Sequence, residues 1–182
     1  WAERAGLGWT GRNHQLIIPH AGSMFFLGEL FVQEELEYDS PIPNRCGRCH
    51  ACLDACPTSS IISNQSSFIS NQSSFISNQS SFISSRCLSY LTIEHRGPIP
   101  HSSLKNIYGC DICQLACPWN RFAVPTTEPA FQPSEALLSM TKEKWHNLTE
   151  EQYRILFKGS AVKRAKYSGL MRNINNQQSI KS

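Results

Sequence analysis

The apolar positions of this 182-residue chain fall in short, separated groups. Leu16 to Ile18 and Met24 to Val32 are compact runs near the start, the second broken by Gly28 and Glu29. Runs this short carry no decisive period, so they fit strands or buried turns equally. Further along, Leu148, Gln152 and Ile155 to Phe157 recur at helical spacing. Thr149-Glu150-Glu151-Gln152 supplies the capping pattern that predicts a helix start there. Pro41 and Pro43 mark one break in the chain, and the four prolines from Pro118 to Pro133 mark another. The stretches 1–43, 44–125 and 126–182 are therefore expected to be separate parts.

One polar stretch has a different origin. Ile-Ser-Asn-Gln-Ser-Ser-Phe occurs three times without change from Ile62 to Phe82. Its period is seven, but the apolar residues are adjacent rather than split three and four apart, and Ser, Asn and Gln between them form helices poorly, so a coiled coil is excluded. The copies are expected to be a tandem expansion of one surface loop, over residues 62–83, with no chemistry of its own. Lengthening a loop from about 16 to 30 residues costs only roughly 0.6 kcal/mol of closure entropy, so sites on either side can survive it.

Charge changes the picture at one end. Residues 1–140 are mildly acidic, whereas the remainder holds nine Lys and Arg against three Glu, a net charge of +6. A polyanionic partner is plausible there, beside the ordinary alternative of a solvated basic helix face. No stretch is apolar enough to predict a membrane span. The chain starts at Trp1 with no secretory pattern and is expected to be a fragment.

All eight cysteines lie between Cys46 and Cys117. Cys46, Cys49, Cys52 and Cys56, followed by Pro57, spell C-x2-C-x2-C-x3-C-P. With this spacing, two-cluster ferredoxins give three thiolates to one [4Fe-4S] cluster and the fourth to another. Cys110, Cys113 and Cys117, followed by Pro118, repeat the later part of the pattern, and Cys87 can supply the missing early ligand. The pseudo-symmetric rule assigns Cys46, Cys49, Cys52 and Cys117 to one cluster and Cys56, Cys87, Cys110 and Cys113 to the other. Two residues between thiolates let one tight loop aim three sulfurs at a cubane, and the three-residue step turns the last one away. Small residues such as Gly47, Ala51 and Ala55 allow close backbone approach, and the prolines fix the exits. An even cysteine count also permits a disulfide scaffold, and C-x2-C pairs also bind zinc, but neither needs the C-x3-C-P endings.

The segments Arg86 to Glu94 and Tyr108 to Asn120, with Ala5 to Asn13 upstream and Gly159 to Ala161 through Arg172-Asn173 downstream, closely resemble epoxyqueuosine reductase. The resemblance implies an α+β chain: a bacterial-ferredoxin-like two-[4Fe-4S] domain (44–125), flanked by the end of an α/β cobalamin-binding domain (1–43) and the start of a helical-repeat, tRNA-binding region (126–182). It implies a cytoplasmic, monomeric oxidoreductase of queuosine biosynthesis. Electrons from an external donor would pass through two [4Fe-4S] clusters to cobalamin, and the epoxide of epoxyqueuosine in tRNA would be reduced. The general-acid aspartate expected by analogy would lie ahead of Trp1, so no catalytic residue is assigned and this piece alone is expected to be inactive. By position, Gly11, Arg12, Leu16, Leu27, Ser89, Cys110 and Asp111 are expected to border cobalamin. Lys163, Arg164, Lys166, Arg172 and Asn173 are expected to contact tRNA, positioning phosphates without reading sequence. Thr10 and Arg12 depart from the usual apolar residue and Lys of the pattern, Arg12 keeping the charge with a different geometry. His50 could hydrogen-bond cluster sulfur, and Trp119 and Tyr90 could stack on a base or corrin ring. The competing readings are a two-cluster ferredoxin-type electron carrier, which the cysteines alone support equally, and a reductive dehalogenase-like enzyme.

Overall fold

The structure is a computed structural model describing residues 1–63, 80–99, 104 and 106–178. Most of the threefold repeat, His101 and Lys181 lie outside these described residues. In chain order the elements are β1 (Trp9–Thr10), β2 (Leu16–Ile17), α1 (Ala51–Asp54), β3 (Ile61–Ser63), β4 (Ser80–Phe82), α2 (Leu88–Ile93), α3 (Ile112–Leu115), α4 (Glu135–Leu138), α5 (Lys142–His146), α6 (Glu150–Leu156) and α7 (Lys166–Gln178). They form two compact units: Trp1–Ile83 with Asp111–Pro125, and Ser84–Cys110 with Thr126–Ser182. The seams therefore differ from the breaks that proline predicts, because residues 84–110 fold with the basic tail. The physical reason is a set of hydrogen bonds from α7 to the α2 segment, described below.

In the first unit, β1 and β2 form an antiparallel hairpin pairing Trp9 with Ile17 and Thr10 with Leu16. Trp9 and Ile17 are buried, and Trp9 meets Trp119 edge-on with ring centroids 4.9 Å apart. Gly8 permits this packing, since a Cβ there would stand 2.2 Å from the Ile17 carbonyl oxygen. The first apolar run, Leu16 to Ile18, thus resolves as strand and turn. The second does not become regular structure, and Phe26, Leu30 and Phe31 are exposed. Asn120 ties the far end of the unit together: its Oδ1 accepts from Ser23 N (2.6 Å), and its Nδ2 donates to the Gln114 carbonyl (2.6 Å).

The repeat leaves and re-enters this unit through β3 and β4, which pair Ile61 with Phe82, Ile62 with Ser81 and Ser63 with Ser80. Deleting residues 62–75, two whole copies, brings an identical Ile-Ser pair, Ile76-Ser77, next to Ile61. The same ladder then closes over a two-residue Asn78-Gln79 turn, a length that suits an antiparallel hairpin. The deletion variant should fold and retain its full iron content, with a melting temperature unchanged or slightly raised by the shorter loop. Loss of iron would show that the deleted copies contribute to holding a cluster.

The second unit has its core where α6 and α7 meet: Leu148, Tyr153, Phe157, Leu170 and Ile174 are buried there. The Thr149 capping box is present, with Gln152 N donating to Thr149 Oγ1 and Thr149 N to Gln152 Oε1. The helix is as the sequence predicts, but its face is rotated: Tyr153 and Phe157 turn inward, and Ile155 is exposed.

Candidate metal centre

The two C-terminal halves of the cysteine motifs fold alike. Cys52 is the second residue of α1 and Cys113 the second of α3. After each helix an alanine donates back to its first residue (Ala55 to Ala51, Ala116 to Ile112, both 3.0 Å). The next cysteine then donates three residues back: Cys56 N to Leu53 O at 3.2 Å, and Cys117 N to Gln114 O at 3.0 Å. Proline follows and stops each turn. One short helix, one alanine and one Cys-Pro exit form a unit of geometry used twice.

Cys46, Cys49, Cys52 and Cys117 line one cavity of about 130 Å³, together with Arg12, Asn13, Ile17, Arg45, Pro118 and Trp119. Local bonds shape this wall. Asn44 Oδ1 accepts from Cys46 N (2.9 Å) while its Nδ2 donates to Thr10 O (3.0 Å), tying the cysteine loop to the hairpin. Arg12 donates to the Gly47 carbonyl (2.9 Å), and Cys49 N donates to Cys46 O. Burial first, and then the nearby thiols of Cys117, Cys46 and Cys49, push the Cys52 thiol up to about 11. Four cysteines around one cavity are a donor set that a positively charged iron core satisfies. A tetrahedral zinc, with Zn–S near 2.3 Å, would draw its sulfurs to within about 4 Å of one another. Among the described residues no three Cys, His, Asp or Glu side chains converge tightly enough for a single ion. An all-sulfur set around a cavity fits an iron–sulfur cluster, and Arg12 and Arg45 place positive charge beside the thiolates.

The other four cysteines divide between the units, Cys56 and Cys113 in the first and Cys87 and Cys110 in the second. Burial raises the Cys56 thiol, but hydrogen bonds from the Ser60 hydroxyl and from the Thr58 and Ser60 backbone outweigh it and bring it down to about 7. Ser60 N lies 3.3 Å and Ser60 Oγ 3.1 Å from its sulfur. This preformed thiolate cradle was not visible in the spacing, and neither was Arg45 on the cavity wall.

A family described as a 4Fe-4S double cluster binding domain matches residues 45–120. Epoxyqueuosine reductase of Cellulophaga algicola is 42% identical over 179 residues, covering 96% of this chain and 54% of the relative. The chain is a homologue of the epoxyqueuosine reductases. It spans about half the length of the curated relatives it matches. A crystal structure of a selenomethionine-labelled epoxyqueuosine reductase superposes with a TM-score of 0.79 at 27% identity, covering 96% of this chain and 44% of that one. The structure of epoxyqueuosine reductase with an epoxyqueuosine-modified tRNA-Tyr stem loop shares the fold, with a TM-score of 0.67 at 24% identity over 96% of this chain and 44% of that one.

The remaining residues expected from the reductase resemblance have definite places. Gly11 is buried at the β1–β2 turn, Arg12 faces the four-cysteine cavity, Leu16 is half-buried, and Leu27 is exposed. Ser89 and Cys110 are half-buried, and exposed Asp111 accepts from Gln114 Nε2 (3.0 Å). His50 pairs with Asp54 on the surface. Trp119 packs on Trp9, whereas Tyr90 is partly exposed. Of the residues expected at tRNA, Lys163 and Lys166 are exposed. Arg164 is exposed and paired with Glu94 at 2.6 Å. Two have other work. Asn173 is fully buried, and the Arg172 guanidinium donates to the carbonyls of Leu91, His95 and Gly97, so neither presents itself to a phosphate. No helix among the described residues is long and apolar enough to cross a membrane.

Proposed function

We propose that this chain is the electron-supplying part of an epoxyqueuosine reductase, acting in queuosine biosynthesis on tRNA. The observation that carries the reading is the single cavity shared by Cys46, Cys49, Cys52 and the distant Cys117, the swapped-ligand arrangement that the ferredoxin spacing requires. The first cluster would be held by these four cysteines, and the second by Cys56, Cys87, Cys110 and Cys113. When bound, the clusters supply single electrons, and cobalamin supplies the strongly reducing centre that opens the epoxide. The chain's own residues hold thiolates in place, exclude water behind Trp9, Ile17 and Trp119, and set positive charge from Arg12 and Arg45 beside the sulfurs. Gly11, Arg12, Leu16, Leu27, Ser89, Cys110 and Asp111 remain the residues proposed for the cobalamin side. Lys163, Arg164 and Lys166 are the proposed phosphate contacts, with an external protein or small-molecule donor feeding the clusters.

Two measurements on this chain test the reading together. The anaerobically purified protein should be brown and hold about eight iron per chain. It should also bind an anticodon stem loop with an affinity that falls steeply as salt rises. Lys163→Ala with Lys166→Ala should weaken binding at every sequence and lower the salt slope by about two. Iron without any RNA binding would favour a free ferredoxin-type carrier.

A further inference from the structure

Asn173 is the residue whose position the proposed function does not yet use. It lies in α7, a helix that begins at the exposed Lys166, yet its amide is completely buried. Its Nδ2 donates to the carbonyls of Thr92 and Ile107, both at 2.8 Å. Its Oδ1 accepts from Arg172 Nε (3.1 Å) and Nη2 (2.9 Å). That guanidinium in turn holds the Leu91, His95 and Gly97 carbonyls at 2.7–2.9 Å. Two adjacent side chains therefore satisfy five backbone carbonyls at the end of α2 and in the segment before Cys110. Buried carbonyls without such partners would be costly.

The network continues to the ligands. Thr92, itself buried, donates through Oγ1 to Leu88 O (2.7 Å) in the first turn of α2 and accepts from Gly109 N (3.0 Å). Cys87 is the residue at the N-terminal cap of α2. Cys110 follows Gly109, which sits in the left-handed region at φ +73°, and its side chain packs on the cluster of Leu88, Leu91 and Leu104. One chain of bonds from Asn173 through Thr92 thus fixes both the helix that Cys87 begins and the turn that presents Cys110. None of these residues lines the cavity of Cys46, Cys49, Cys52 and Cys117.

We infer that Asn173, with Arg172 and through Thr92, is a positioning residue for Cys87 and Cys110, setting these two ligands of the second cluster in register. The inference rests on the proposed two-cluster reading. Asn173→Leu keeps the branched shape and the number of side-chain heavy atoms and removes both donated bonds. Thr92→Val keeps the shape of a buried β-branched residue and the Asn173 bond to its carbonyl, and removes the hydroxyl's bonds to Gly109 N and to the Leu88 and Ser89 carbonyls. The readouts are iron and acid-labile sulfide per chain and the electron paramagnetic resonance spectrum of the reduced protein. Asn173→Leu should fall to about half the wild-type iron, and its spectrum should reduce to that of one isolated cluster. Thr92→Val should keep more iron but alter the signal of the second cluster alone, an effect that general loss of stability would not produce. Asn173→Gln should restore little, because the longer amide cannot reach both carbonyls. If Asn173→Leu does not fold, Thr92→Val decides. Full iron with an unchanged spectrum in the folded variants would overturn the inference. Absence of iron from the wild-type chain would instead overturn the functional reading beneath it.

Discussion

Cys117→Ala should lose roughly half the protein's iron and sulfide and one of its two paramagnetic signals. Cys117 shares its cavity with Cys46, Cys49 and Cys52, although about sixty residues separate it in sequence from the nearest of them. A scheme in which each motif fed its own cluster would pair Cys56 with the first three cysteines instead. The two schemes predict opposite survivors. If the ligands are swapped, Cys117→Ala spares the cluster held by Cys87, Cys110 and Cys113, and Cys56→Ala spares the one held by Cys46, Cys49 and Cys52; unswapped ligands would reverse the two. The stability cost of Cys117→Ala is small beside the loss of a cluster, because the half-buried thiol contributes little apolar area. Retention of all the iron in Cys117→Ala would refute the assignment. Burial, first, holds the Cys117 thiol above its ordinary range, so without bound iron it has little tendency to ionise. Its place in the cavity wall is explained by a metal core far better than by a free nucleophile.

What could be read in advance divides by the kind of signal. The cysteine spacing is a covalent constraint on where sulfurs can go, so it survives any packing detail, and Cys46, Cys49, Cys52 and Cys117 line one cavity. The Thr149 cap is equally local and equally legible. Long-range choices were not. The resemblance implies tRNA contacts for Arg172 and Asn173, and only the fold shows them facing backbone carbonyls more than seventy residues away in the second unit. Ile155 sits one step off the buried face because Tyr153 and Phe157 fill the core with larger rings. Met24 to Val32 reads as a strand or a buried turn, yet its side chains are exposed. Apolarity states that a segment needs a partner without naming one.

The largest effect on stability should come from Trp9→Ala, about 3–5 kcal/mol, of the order found for truncating a buried aromatic side chain. Trp9 has no exposed surface, pairs across the hairpin with Ile17, and lies edge-on to Trp119, which in turn contacts Phe122 at 6.0 Å between centroids. Trp119 is part of the cysteine cavity wall, so emptying the space behind it loosens the support of the first cluster as well. In a chain of this size the destabilisation corresponds to a fall in melting temperature of roughly 6–20 °C. Trp9→Phe should behave differently. The Trp9 indole N–H is buried with no hydrogen-bond partner among the described residues, so replacing the ring by phenyl removes an unsatisfied donor while keeping an aromatic edge against Trp119. Anaerobic thermal unfolding of the two variants, with iron release followed in parallel, separates ring packing from indole hydrogen bonding. Trp9→Phe should melt well above Trp9→Ala and retain its iron at temperatures where Trp9→Ala has lost it. Equal melting temperatures would mean that the packing of Trp9 on Trp119 contributes nothing to holding the hairpin against the cluster site.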